Sequence, residues 1–327
     1  PVFKYKEYIN DNFQEKSDDE QYLLVQIESL DFRCSLRKAL QIVSETIELN
    51  VLHDSENKII IEKQSLIIHT TSRLYRFWPI EENLDGFYQY QEPEFYRFID
   101  NFKLMKEDSV AREKIKSAIR FYKLGNDSVE VEHKILNFWI GFEQLFSAVD
   151  TEEDSIKRIK SYFVAINGVF YWQRKTNYLL SSITRAGVTL NVSDLIPANT
   201  ATCNGLNPLV RTRFKSCIFT FNESKELKSL LEQHINRLEQ HLTRIYRVRN
   251  ELVHEGRSTV DLFLLAGHLR HYLLFSIEQI TNELAENPTL DHIDDVFVYF
   301  ETLLTRIKSA NNIQEIFSIK EYKGYME

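Results

Sequence analysis

Cysteine, proline and glycine are all scarce in this chain. Three cysteines, Cys34, Cys203 and Cys217, lie far apart in 327 residues. They are too few and too scattered for a disulfide framework or a zinc ribbon, and they suit a reducing compartment. Six prolines and nine glycines argue against the turn-dense all-β classes. No secretory leader opens the sequence, and no apolar run approaches the roughly 18 residues that span a bilayer. The expectation is therefore a cytoplasmic protein without membrane contact. Positive charge is also in deficit: 40 Lys and Arg against 48 Asp and Glu give a net charge of −8. That excludes bulk electrostatic nucleic-acid binding, so any contact with nucleic acid must be local.

What is present is ordinary globular material, 43% hydrophobic and 27% charged, with length for about two domains. The first hundred residues alternate and then change period. YLLVQIES at 22–29 predicts a strand through Leu23, Val25 and Ile27. Leu36, Leu40, Val43 and Ile47 mark a helix face, and Ile59, Ile61, Leu66 and Ile68 predict a second strand. Residues 71–100 are rich in aromatics and punctuated at Trp78-Pro79, Gly86 and Pro93. Residues 1–105 thus read as a small α+β domain and its linker, and 106–310 as a helical bundle. An insertion at about 185–221, with a hairpin around VTLNV, and a tail at 311–327 complete the division. The fold class is mainly α.

Six helices are expected in the bundle. Ala111, Ile115, Ala118 and Tyr122 define the first, closed by Gly125-Asn126-Asp127. Val131, Ile135, Phe138, Phe142 and Leu145 define the second, and a third opens at the capping signal Thr151 to Asp154. The fourth starts near Asn222 and repeats Leu231, Ile235, Leu238, Leu242 and Ile245. A fifth follows the Ser258/Asp261 capping box. It reads as a central core helix, because His268, Arg270, His271 and Glu278 interrupt its apolar run. The sixth uses Ile293, Val296, Phe300, Leu303 and Ile307.

The fourth helix carries an anomaly. Where its heptad pattern calls for another leucine stands Arg249, followed by Asn250, Leu252, Val253, His254 and Gly256. Asn250 and His254 share a helix face, and the long Arg249 fork can swing toward them. An imidazole, an amide and a guanidinium at a helix end suit phosphodiester chemistry. The imidazole takes or gives a proton near neutral pH, and the guanidinium grips non-bridging oxygens. Helix two has a matching oddity: Glu143 interrupts a second apolar row of Leu136, Trp139 and Phe146. Buried charges need partners or a solvated cleft, which predicts that Glu143 orients Arg249 or that both line a dimer groove. His234, Arg237, His241 and Arg244 recur at three- and four-residue steps, with Arg247 beyond them. They form a basic track toward His254, either a solvated face or a guide for RNA phosphates. His268 and His271 stand three apart, but no acid or cysteine at ligand spacing joins them. They read as a core-edge pair, and no metal site is expected.

RNELVH followed by Gly, after an amphipathic helix, resembles the Arg-x(4–6)-His signature of the HEPN superfamily, whose preferred form begins Arg-Asn. HKILNFWIGFEQLFS at 133–147 resembles the tryptophan-and-glutamate helix of the Apea-like HEPN group found in bacterial anti-phage proteins. The resemblance covers roughly residues 105–310. It implies a HEPN-type bundle that dimerises so that two signatures face one cleft. The implied activity is cleavage of RNA, with no cofactor or metal, leaving a 2′,3′-cyclic phosphate. Arg249 and His254 would be the catalytic pair and Asn250 the polar helper, with Glu143 beside them. Arg247, Arg244, Arg237 and His241 would contact RNA. An inhibitor or trigger protein is a further expected partner. The competing expectation is a non-catalytic dimerisation or RNA-sensing module on the same bundle. A third, an enzyme transferring nucleotidyl groups to a protein, would need a metal site the sequence does not offer.

Overall fold

The computed structural model describes residues 23–29, 31–32, 34–36, 38–40, 42–43, 64–69, 75–79, 92–107, 109–128, 130–146, 155–185, 187–189, 207–256, 262–287, 290 and 292–319. Over these residues the fold is mainly α. The chain divides into two compact units, Pro1–Asn83 and Leu84–Glu327.

In the first unit, Leu23–Ser29 is irregular and not a strand. Its alternation is real, but Leu23 and Leu24 stay exposed, so among the described residues nothing converts the pattern into a sheet. Described residues between 32 and 43 are helical, and the Asp31 carboxylate starts them by accepting the Cys34 amide at 2.8 Å. An antiparallel pair follows, β1 (Gln64–Ile68) with β2 (Tyr75–Pro79), in which Leu66 pairs with Phe77 and Ser65 with Trp78. The aromatic stretch read as linker therefore supplies a strand, and Pro79 sits at its end, where a missing N–H costs no ladder bond. Ile47, Ile59, Ile61 and Gly86 lie outside the described residues.

The second unit begins earlier than the sequence suggests. Helix α1 (Glu92–Leu104) belongs to it because Phe98 joins the main core, Asn101 donates to Asn282 at 2.9 Å, and Arg97 reaches Glu278 at 3.9 Å. Pro93, read as punctuation, falls in the first turn of this helix, where proline fits. Then come α2 (Val110–Asp127), α3 (Val131–Phe146), α4 (Ser155–Val169), α5 (Tyr171–Arg185), α6 (Pro208–Asn222), α7 (Ser224–Glu255), α8 (Leu262–Glu286), α9 (Ile293–Ser309) and α10 (Ile313–Ile319).

Among the described residues, eight helices thus lie between 106 and 310, where six are expected. The expected third helix is two, α4 and α5, turned at Phe170, where the Arg174 guanidinium bonds the Asn167 carbonyl and side-chain oxygens, both at 2.9 Å. The expected insertion contains α6. Its start is capped by Asn207, whose side chain accepts the Leu209 amide at 3.0 Å, and Phe214, Ile218 and Phe221 bury one face. The expected hairpin, beyond Thr189, and both capping signals, at 151–154 and 258–261, lie outside the described residues. Gly125 does not stop α2. It is buried inside the last turn because a Cβ there would lie 2.4 Å from the Phe138 ring.

Helix α8 is buried around most of its circumference, as befits a helix at the centre of a bundle. On α3, Phe138, Trp139, Phe142 and Phe146 are fully enclosed, each stabilising the fold by roughly 1.5–3 kcal/mol through lost apolar exposure. Phe146 stacks on Phe297, which stacks on Tyr162 with centroids 4.2 Å apart. Arg158 ties this layer down, donating to the Phe146 carbonyl and to Asp294.

Candidate functional site

Helix α7 sets the geometry. Its buried stripe runs Leu227, Leu231, Ile235, Leu238, Leu242, Ile245, Val248 and Leu252. Extending the heptad step to Arg249 is thus corrected. The stripe passes through Val248 instead, since a straight helix drifts from the 3.5-residue repeat by about 20° per heptad. Arg249 flanks the seam and is 26% exposed. At the end of α7, Gly256 adopts φ 69°, and its amide closes the last turn on the Leu252 carbonyl.

Two side chains hold Arg249 in place. Its Nη1 donates to Asn250 Oδ1 at 3.1 Å, and its Nη2 lies 3.7 Å from Glu143 Oε2 on α3. The other oxygen of Glu143 accepts the indole N–H of Trp139 at 2.6 Å. Trp139 is fully buried and packs its ring against Tyr246 of α7, with centroids 5.7 Å apart. The carboxylate is thereby fixed at both oxygens. At 29% exposure the ion pair itself contributes at most about 1 kcal/mol. Its consequence is orientation: the guanidinium is aimed while keeping N–H donors open to solvent.

His254 stands apart from this cluster. Viewed down α7 at about 100° per residue, Arg249, Val253, Asn250 and His254 fall in that order across about 140°. His254 is exposed, and among the described residues it has no hydrogen-bond or ion-pair partner. Val253, inside the arc, is 51% exposed, while Leu252 is buried. One chain therefore presents an oriented guanidinium, an amide, an uncovered apolar side chain and an open imidazole on one solvent-facing arc.

The basic track divides. Arg237, Arg244 and Arg247 are exposed, and Arg247 lies seven residues before His254 on nearly the same bearing. His241 does not share that exposure. Its Nδ1 pairs with the Tyr272 hydroxyl at 3.0 Å, and its ring meets His268 edge-on. His234 stacks on Tyr171 with centroids 4.4 Å apart. Both imidazoles turn inward because their bearings fall near the buried stripe, a distinction that three- and four-residue spacing does not resolve. Burial and neighbouring cations lower His234, and burial with His268 and Arg244 lowers His241, each to about 4. Among the described residues no group of three or more His, Cys, Asp or Glu is placed to hold a metal ion, and no helix is long and apolar enough to cross a membrane.

No family model, curated protein or solved structure matches this chain.

Proposed function

We propose that this protein is a metal-independent endoribonuclease of the HEPN type, acting in the cytoplasm in anti-phage defence or as a toxin. The observation that carries the reading is the aimed guanidinium: Arg249 held between Asn250 and Glu143 at an open helix end, with His254 one turn onward on the solvent side. The ribose 2′-hydroxyl attacks phosphorus and loses its proton to an imidazole. The P–O5′ bond breaks, the 5′ oxygen takes a proton, and a 2′,3′-cyclic phosphate remains. His254 serves as general base or acid, Arg249 offsets charge developing on the non-bridging oxygens, and Asn250 positions the hydroxyl. Glu143 positions Arg249. Arg237, Arg244 and Arg247 give RNA phosphates an exposed path to the site on a chain that is otherwise acidic.

A homodimer completes this reading. The uncovered Val253 within the polar arc favours a second copy across the groove, bringing a second imidazole to the one site. An inhibitor or trigger protein would act on the same face. A second reading, a non-catalytic dimerisation or RNA-sensing module, is favoured by one fact: no described residue fixes the tautomer of His254.

Incubation of the purified protein with total RNA in EDTA separates the two readings. Cleavage that persists under chelation and disappears in His254→Ala supports the enzyme, whereas RNA binding without cleavage supports the sensor. Mixing His254→Ala with wild type should depress activity below simple dilution if the site is shared between copies.

A further inference from the structure

A second concentration of cations lies elsewhere on α7, about 30 Å from His254 along the helix axis, counting about twenty residues at 1.5 Å each. Here α4, α5, α7 and α8 line an open-mouthed cavity of about 370 Å³. Its walls are Asn167, Tyr171, Arg174, Lys175, Tyr178, His234, Leu238, His271 and Tyr272. Two cations and two imidazoles line it, and no carboxylate does. In a protein of net charge −8, that composition is a local inversion of sign.

The cationic side is built. Arg174 rests over the Phe275 ring at 4.6 Å, and two of its five N–H groups are spent on Asn167. Among the described residues its other three N–H groups meet no acceptor. Among the described residues no acid pairs with Arg174 or with Lys175. Lys175 is held by the Tyr171 hydroxyl at 3.4 Å and by the Trp172 ring. His234 stacks on Tyr171, and its Nε2 is buried without a hydrogen-bond partner. A partly desolvated guanidinium without a counter-charge is unfavourable, and a buried polar atom without a partner costs about 1–3 kcal/mol. Both costs fall on the same small space, and one ligand class removes both: an anion rich in acceptor oxygens.

We propose that this cavity binds a small phosphate monoester, with the dianion seated on Arg174 and Lys175 and with His234 donating from Nε2. A monoester fits better than a bare halide or carboxylate because its three terminal oxygens can meet donors converging from α5 and α7 together. The volume exceeds what phosphate alone fills and leaves space for a small organic group beside the exposed ring of Tyr178. Burial lowers Arg174 to about 10, so the guanidinium keeps its charge at neutral pH. This site is independent of the chemistry assigned to His254.

The test is isothermal titration of the full chain with inorganic phosphate and with glycerol 3-phosphate at pH 7.5 and constant ionic strength, with chloride as baseline. We expect saturable binding, tighter for glycerol 3-phosphate, and weakened at least about tenfold in Lys175→Gln and in Arg174→Gln, since each removes a charge-assisted contact. Lys175 is half-exposed, so its variant decides the matter if Arg174→Gln fails to fold. Absence of saturation by either probe up to about 10 mM, or an unchanged affinity in Lys175→Gln, overturns the proposal. So does single-stranded RNA binding that requires Lys175 while both small phosphates fail to bind.

Discussion

Glu143 shows what one side chain does here. It is anchored by a fully buried indole on one oxygen and faces Arg249 with the other. Glu143→Gln keeps an oxygen for the Trp139 N–H but removes the charge that aims the guanidinium. We expect unfolding stability in urea to change by less than about 1 kcal/mol, because the pair is partly solvated. Under the proposed function, single-turnover RNA cleavage should fall by roughly tenfold or more. Cleavage at the wild-type rate would remove Glu143 from the site. The sequence hints at the contact, since Glu143 interrupts an apolar row and a cation stands near the end of the α7 stripe, but Arg249 flanks that stripe and does not interrupt it. The third participant, Trp139, stands one turn before Glu143 on the same face of α3, so its N–H is within reach by spacing alone; its ring contact with Tyr246 of α7 is not legible. His241 is misplaced by spacing alone, because a residue four steps from an exposed arginine can still face the core.

At the scale of the element, α7 decides where the site lies. Sequence periodicity identifies the helix, its apolar stripe and its glycine stop. It does not identify the side on which Arg249 falls, because the heptad step and the 3.6-residue turn diverge over the roughly twenty residues before it. Helix α6 escapes notice for a different reason. Pro208 reads as a breaker, whereas capped by Asn207 it begins a helix. The α7 terminus offers its own test. Gly256 holds a left-handed backbone with open space where a Cβ would go, so Gly256→Ala should cost about 1–2 kcal/mol from backbone strain alone. Thermal denaturation should register that loss. Substitution by Asn, which tolerates the conformation better, should recover part of it.

For the molecule as a whole, the inward histidines link stability to acidity. His234, His241 and His271 are each lowered to about 4, principally by burial, against about 6.5 when unfolded. The native state keeps them neutral where the unfolded chain protonates them. Their contribution is therefore fully present above about pH 6.5 and is lost as pH falls toward 4, with unfolding taking up roughly three extra protons in between. Thermal melts from about pH 7.5 to 4.5 should show a flat region and then a decline. His241→Gln should make the decline shallower by about one proton. A melting temperature that rises on acidification through this window would contradict the assignment. The mainly α class is legible from composition and period. The division at Asn83 is not, because the attachment of α1 to the second unit depends on contacts with residues far along the chain, such as Asn101 with Asn282.

Trp139 has a practical corollary. An indole sealed among aromatics and bonded to a carboxylate emits at short wavelength, and its emission responds to charge a few ångströms away. Anything that draws Arg249 off Glu143 alters that local field. The protein thus carries an intrinsic fluorophore reporting on occupancy at the end of α7, readable without a label once Trp78 and Trp172 are replaced by phenylalanine.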